Sequence, residues 1–147
     1  MKIINVFNNH EKIRITKKKI IDLLNFTFKG EHKNNYNVNV IFVCDLELLD
    51  INKIYLNHNY LTDVITFNLN QSDSNKSKIN NSDLIEGEIY ISVDRAKEQS
   101  KIFNVKFYNE VYRLAIHGAL HLCGYEDNTD VKRLSMTNLE NHYLTNL

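Results

Sequence analysis

Two periods of hydrophobic and polar residues run along this chain. Lys2 to Phe7 reads as a short strand rich in β-branched residues. Val38 to Cys44 places Val38, Val40, Phe42 and Cys44 on one face and Ile41 and Val43 on the other, the pattern of a strand buried on both sides. A third strand is expected from Val64 to Leu69. A fourth, Ile85 to Val93, sets Ile89, Ile91 and Val93 against Glu88, Tyr90 and Ser92. The stretch between them, Asn70 to Asp83, is almost entirely Asn, Ser, Asp and Lys, so the pair reads as a hairpin with a long exposed loop. Helical period takes over elsewhere. Ile20, Leu23, Leu24 and Phe28 mark a helix from Lys17 to about Lys29, with Thr16 as its N-cap and Gly30 at its end. Asp45 can cap a second helix, from Leu46 to about Asn57, with Leu48, Leu49, Ile51, Ile54 and Tyr55 as its apolar positions. Ser92 or Asp94 can cap a third, from about Val93 to Ile102. A fourth begins near Phe107 and faces the core with Val111, Leu114, Ala115 and Leu122. A fifth starts at Thr129 or Asp130 and carries Leu134, Met136, Leu139 and Leu144. This order predicts an α+β fold: a single domain over residues 1–147, with a small mixed four-stranded sheet covered by about five helices.

Composition narrows the picture. A chain of 147 residues is long enough for one proper core. It has no apolar run fit to span a bilayer and no signal-peptide pattern, so no membrane association is expected. Two cysteines, Cys44 and Cys123, make no disulfide framework and read as reduced thiols, which suits the cytoplasm. Eighteen basic and eighteen acidic residues cancel, which argues against gripping nucleic acid by bulk charge but leaves room for a local basic face. Lys17, Lys18 and Lys19 form the one basic run at a helix start; a solvated face is expected there, with contact to RNA phosphate as the alternative. The absence of proline and the abundance of Asn, Lys and Ile read as a bias of the source genome.

The chemistry concentrates between His117 and Asp127. His117 and His121 are four apart, which puts both imidazoles on one helix face. Gly124 can take the left-handed conformation that ends a helix, and the returning chain can bring Asp127 to the same point. Three ligands with an open position describe a catalytic zinc site, one ion per chain. The His-x3-His-x2-Gly-x2-Asp spacing is that of metzincin proteases, but Gly118 stands where those enzymes carry their general-base glutamate. The pattern therefore speaks for metal more than for peptide hydrolysis. Glu110 lies about two turns before His117 on the same face; a solvated carboxylate is expected there, with support of the metal face as the alternative.

Three blocks resemble the bacterial YbeY family of metal-dependent endoribonucleases, the rRNA maturation factors. His117-Gly118-Ala119-Leu120-His121-Leu122-Cys123-Gly124-Tyr125-Glu126-Asp127 is similar to the family's His-Gly-x-Leu-His-Leu-x-Gly-Tyr-Asp-His. Thr62-Asp63-Val64-Ile65-Thr66-Phe67 is similar to its Thr-Asp-Val-Leu-Ser-Phe, and Gly87-Glu88-Ile89-Tyr90-Ile91-Ser92 to its Gly-Asp-Ile-x-Ile-Ser strand. The order of elements and the length agree over essentially the whole chain. The chain departs from the pattern at three places. Asp127 replaces the usual third histidine. Leu56 follows Tyr55 where the family usually has an arginine thought to serve RNA cleavage. Leu61 stands in place of a common proline.

The resemblance implies a zinc-dependent, single-strand-specific endoribonuclease acting in 16S rRNA 3′-end maturation and ribosome quality control. Its partners would be the 16S rRNA precursor and the small ribosomal subunit with its proteins, and no DNA is expected. His117, His121 and Asp127 would act through the metal. Arg113, His58, Lys17 and Lys18 are the candidates for the positive charge that holds substrate. Spacing alone assigns no general base, and Asp63 and Glu88 read equally as catalytic groups or as loop hydrogen-bonders. Two other classes remain open: a zinc peptidase-like hydrolase, and a non-catalytic zinc-containing ribosome-assembly factor.

Overall fold

The computed structural model describes residues 1–70 and 83–146. Its elements follow in the order β1 (Lys2–Asn8), α1 (Lys17–Gly30), β2 (Tyr36–Val43), α2 (Asp45–Leu56), β3 (Val64–Asn68), β4 (Ile85–Ser92), α3 (Val93–Ile102), α4 (Phe107–Leu122) and α5 (Asp130–Thr145). The sheet is mixed, in the order β1-β2-β4-β3. β1, β2 and β4 run parallel, and β3 returns antiparallel along β4 with Thr66 opposite Ile89. The expected α+β architecture, four strands and five helices among the described residues, is what the chain adopts. The polar loop expected from Asn70 to Asp83 falls, at positions 71–82, outside the described residues.

Alternation decides what each sheet face buries. On one face Val38, Val40 and Phe42 of β2 and Ile89 and Ile91 of β4 lie under Ile20, Leu24 and Phe28 of α1, Ala96 of α3, and Val111, Ala115 and Ala119 of α4. α5 closes over this layer, packing Met136 and Tyr143 on Leu23, Ile116 and Leu120. The opposite face is only partly covered. There Ile41, Val43 and Ile65 meet Leu48 of α2, flanked by Ile51, Phe67 and Tyr90. Farther out that face carries the paired amides of Asn5 and Asn39, 3.1 Å apart.

This half-covered face corrects the reading of α2. Ile54 and Tyr55, expected in the core, are 73% and 68% exposed. The helix rests on one end of the sheet, and only Leu48 and Asn52 of its residues are buried. α5 departs in the same way: Leu134 is exposed, and the buried face is Met136, Glu140 and Tyr143. A buried carboxylate interrupts the apolar stripe that Leu134 was expected to continue.

Local chemistry sets the helix starts. Ser92 caps α3 by accepting the Arg95 N–H at 3.1 Å, and Thr129 caps α5 by accepting that of Lys132 at 3.2 Å. Thr16 holds the N-cap position of α1 without a side-chain bond. Asp45 is not the cap of α2 but its first residue, with Cys44 before it. The Asp45 carboxylate accepts instead from the Ser92 hydroxyl at 2.7 Å and from Arg95 at 2.9 Å, tying α2 to α3. α4 crosses β4 so closely that a Cβ at Gly118 would lie 2.5 Å from Cγ2 of Ile89. The glycine inside this helix is therefore the condition for seating it on the sheet. None of the described helices is long and apolar enough to cross a membrane.

Candidate metal centre

The seating of α4 decides what its outer face presents. With Gly118 against Ile89, His117 and His121 point into a cleft between α4 and the segment joining α2 to β3. The helix ends at Leu122, and Gly124 takes a φ of 105°, which a side chain would resist. The Gly124 and Tyr125 N–H groups bond back to the carbonyls of His121 and Leu120 at 3.0 and 3.1 Å. That reversal carries Asp127 over the histidines, as the spacing predicts. Nε2 of His117 and Nε2 of His121 lie 3.0 Å apart, and Oδ2 of Asp127 is 3.4 and 3.5 Å from them.

Both rings are oriented from behind. Nδ1 of His117 donates to Oε2 of Glu140 at 2.8 Å, and Nδ1 of His121 donates to the Tyr125 carbonyl at 2.9 Å. With both Nδ1 protons committed, each Nε2 turns its lone pair toward the other and toward the Asp127 carboxylate. Without a cation, only a further proton can relieve that crowding. Burial opposes a charged His117, but the hydrogen bond and charge of Glu140, with Asp127 and Asp63, outweigh it and raise the pKa of the ring. A divalent cation fits where that proton would sit. Two imidazole nitrogens and one carboxylate oxygen are a donor set that suits a divalent metal ion and leaves it further positions open.

The supports reach deep into the protein. Glu140 on α5 is buried, and its second oxygen accepts from Nη1 of Arg113 at 3.1 Å; Nη2 of Arg113 donates to Asn141 at 2.7 Å. The turn that carries Asp127 is anchored too, since the Tyr125 hydroxyl donates to Glu31 at 2.6 Å. This hydrogen bond, together with burial and the carboxylate's charge, pushes the Tyr125 phenol up to about 12. Glu140 is the functional residue that the sequence reading missed. Its signal was a carboxylate on the same stripe of α5 as Met136 and Tyr143. Glu110 departs from its expected solvation: it is only 3% exposed, and burial raises its pKa while Arg113 opposes the rise.

The cleft holds about 510 Å³. His117, His121 and Asp127 line one wall; Leu56, His58, Tyr60, Thr62 and Asp63 line the other. His58 is thus brought to the metal ligands, and the other proposed cations are not. Arg113 stands behind the metal wall with Glu140. Lys17 and Lys18 are exposed on the first turn of α1, with Lys18 paired to Asp22 at 2.8 Å. Leu56 opens into the cleft where the family pattern has an arginine, and no lysine or arginine is among the described lining residues. Asp63 lines the cleft while accepting from Gln99 at 3.1 Å. Glu88 lies outside it, near the Tyr90 hydroxyl at 3.4 Å.

Comparison with known proteins places the chain in a family. The family model described as endoribonuclease YbeY matches residues 5–147. A protein named endoribonuclease YbeY from Flavobacterium psychrophilum is 42% identical over 115 residues, 78% of this chain and 75% of that protein. Its namesake from Karelsulcia muelleri is 40% identical over 119 residues, 81% of this chain and 77% of the relative. The one from Chloroherpeton thalassium is 32% identical over 136 residues, 92% and 89% of the two chains. The solution structure of a Thermotoga maritima protein superposes with a TM-score of 0.61 at 26% identity, covering 97% of this chain and 87% of that one. With a family model matched over residues 5–147 and relatives 32–42% identical over most of both chains, the chain belongs to the YbeY endoribonuclease family.

Proposed function

We propose that this protein is a zinc-dependent endoribonuclease that cuts single-stranded RNA. In this reading it acts in 16S rRNA 3′-end maturation and ribosome quality control in the cytoplasm, in contact with the small ribosomal subunit. The observation that carries the proposal is the convergence of His117, His121 and Asp127 in an open cleft of a chain that belongs to this family. When bound there, zinc supplies Lewis-acid polarisation of a phosphoryl oxygen or of water. The protein's part is orientation. Glu140 and the Tyr125 carbonyl hold the two rings so that each Nε2 faces inward, and the reversal at Gly124 delivers the third ligand. His58 is the one candidate cation on the opposite wall. Lys17 and Lys18 are left to meet phosphates outside the cleft, so RNA affinity should fall with salt by a slope of a few contacts.

Labelled single-stranded RNA, duplex RNA and peptide, each incubated with and without zinc, test the reading. Zinc-dependent cleavage of the single strand alone is the expected result. The peptidase alternative fares poorly, because position 118 packs against Ile89 and offers no carboxylate beside the first histidine. One observation favours a non-catalytic, zinc-containing assembly factor: the cleft has Leu56 where the family pattern has its arginine. Zinc binding at full occupancy with no cleavage of any RNA would support that second reading.

A further inference from the structure

The wall opposite the metal ligands carries an ordered pair of rings. His58 and Tyr60 stack with centroids 5.1 Å apart and planes within 19°, and the Tyr60 hydroxyl and Nδ1 of His58 share a hydrogen bond of 3.0 Å. Both side chains are exposed, Tyr60 by 56%, and both line the cleft. An exposed loop does not ordinarily fix two rings in register, and here a buried residue does it. Asn52 is 1% exposed; its carbonyl accepts the His58 N–H at 3.1 Å, and its side-chain amide donates to the Tyr60 carbonyl at 3.0 Å. Asn57, with a φ of 57°, makes the left-handed turn that lets the chain wrap around that amide. Nε2 of His58 makes no hydrogen bond among the described residues.

Charge says what this wall is built to meet. The cleft is lined by Asp63, Glu126 and Asp127 and by no lysine or arginine among the described residues, so it has no grip on a phosphate backbone beyond a bound cation and His58. Single-stranded nucleic acid is held in two general ways, by cations along the backbone and by aromatic faces under the bases. Among the described residues that line the cleft, the second is supplied by His58 and Tyr60, and the first by no lysine or arginine. We propose that His58 and Tyr60 form a stacking platform for one unpaired nucleobase of the RNA, set in the cleft by Asn52 and facing the metal ligands. The inference rests on the ribonuclease reading and assigns Tyr60 and Asn52 a part in it. It also gives a physical ground for preferring single strands, because a duplex keeps the faces of its bases stacked on one another.

The test uses the full-length, zinc-loaded protein and an oligoribonucleotide carrying 2-aminopurine, whose fluorescence is quenched when its ring stacks. The wild type should quench the probe before cleavage proceeds. Tyr60→Leu keeps apolar bulk and removes the ring; it should lose the quenching and raise KM by roughly five-fold to a hundred-fold, the range expected for one lost stack, with a much smaller change in kcat. Tyr60→Phe should recover most of the quenching, and His58→Ala should lose it independently of Tyr60. Quenching and KM left at wild-type values in both Tyr60→Leu and His58→Ala would overturn the platform even if the protein cleaves RNA. Quenching that depends on Tyr60 in a protein that cleaves nothing would uphold the platform and sink the ribonuclease reading instead.

Discussion

The two walls of the cleft are held by different means. On the α4–α5 side the supports are charged and wholly or partly buried: Glu140 backs His117, Arg113 backs Glu140, and Glu31 holds the tyrosine of the turn that delivers Asp127. On the α2–β3 side one neutral amide, that of Asn52, fixes a loop whose side chains stand in solvent. The first wall must hold three donor atoms within a few ångströms of one another whether or not a cation is present, a geometry that opposes itself electrostatically. The second has only to offer a surface. Ion pairs and charge-assisted hydrogen bonds lie where donors must be forced together, and an amide suffices where a flexible substrate can adapt.

That contrast breaks most visibly at the third ligand. Asp127→Ala leaves two imidazoles, and zinc content should fall from one per chain to well below it after dialysis against a mild chelator, a loss in affinity beyond a hundred-fold. Metal analysis of the dialysed protein reads it directly. Glu140→Gln should weaken zinc by about 10- to 100-fold, the usual cost of losing the carboxylate behind a ligating histidine. Chelator competition measures that change, and an unchanged affinity would mean that Glu140 merely fills space between His117 and Arg113.

The next two variants probe how the metal wall is seated. Gly118→Ala pushes a methyl into Ile89 and should cost about 1–3 kcal/mol, read as a lower urea midpoint. Glu110→Gln should have the smallest effect, and its sign depends on pH. Burial raises the folded-state pKa of Glu110 above its ordinary value of 4.5, so the folded protein holds this proton more tightly than the unfolded chain does. Ionisation therefore costs stability as pH rises through 4.5 toward the raised value. Glu110→Gln should raise the urea midpoint at neutral pH and leave it unchanged below pH 4.5. A destabilised variant at neutral pH would mean that the charge of Glu110 is needed by Arg113.

How much of this was legible in the sequence follows from the range of each interaction. The histidine pair, the glycine break and Asp127 lie within one short segment, so spacing alone placed them. The mixed sheet, the hairpin of its last two strands and the buried face of α4 followed from the order of elements, alternation and period, whereas the parallel pairing of β1, β2 and β4 did not. Glu140 was not legible as a partner of His117, because a contact between α5 and α4 depends on how two helices pack and leaves only a polar gap in an apolar stripe. The exposure of Ile54 and Tyr55 was hidden for a related reason: period says which residues share a helix face, not how much of a sheet is there to receive it. The stacked His58 and Tyr60 depend on a buried amide that sequence reading treats as one more asparagine among many.

The central claim is that His117, His121 and Asp127 hold one zinc ion with a position left open. X-ray absorption at the zinc edge of the loaded protein tests it most directly. The account predicts only nitrogen and oxygen neighbours at about 2.0–2.2 Å, with the multiple scattering of two imidazoles and one carboxylate, and loss of that pattern in His121→Ala. A sulfur neighbour at about 2.3 Å, which would bring in Cys123 or Cys44, or a pattern lacking two imidazoles, would contradict it.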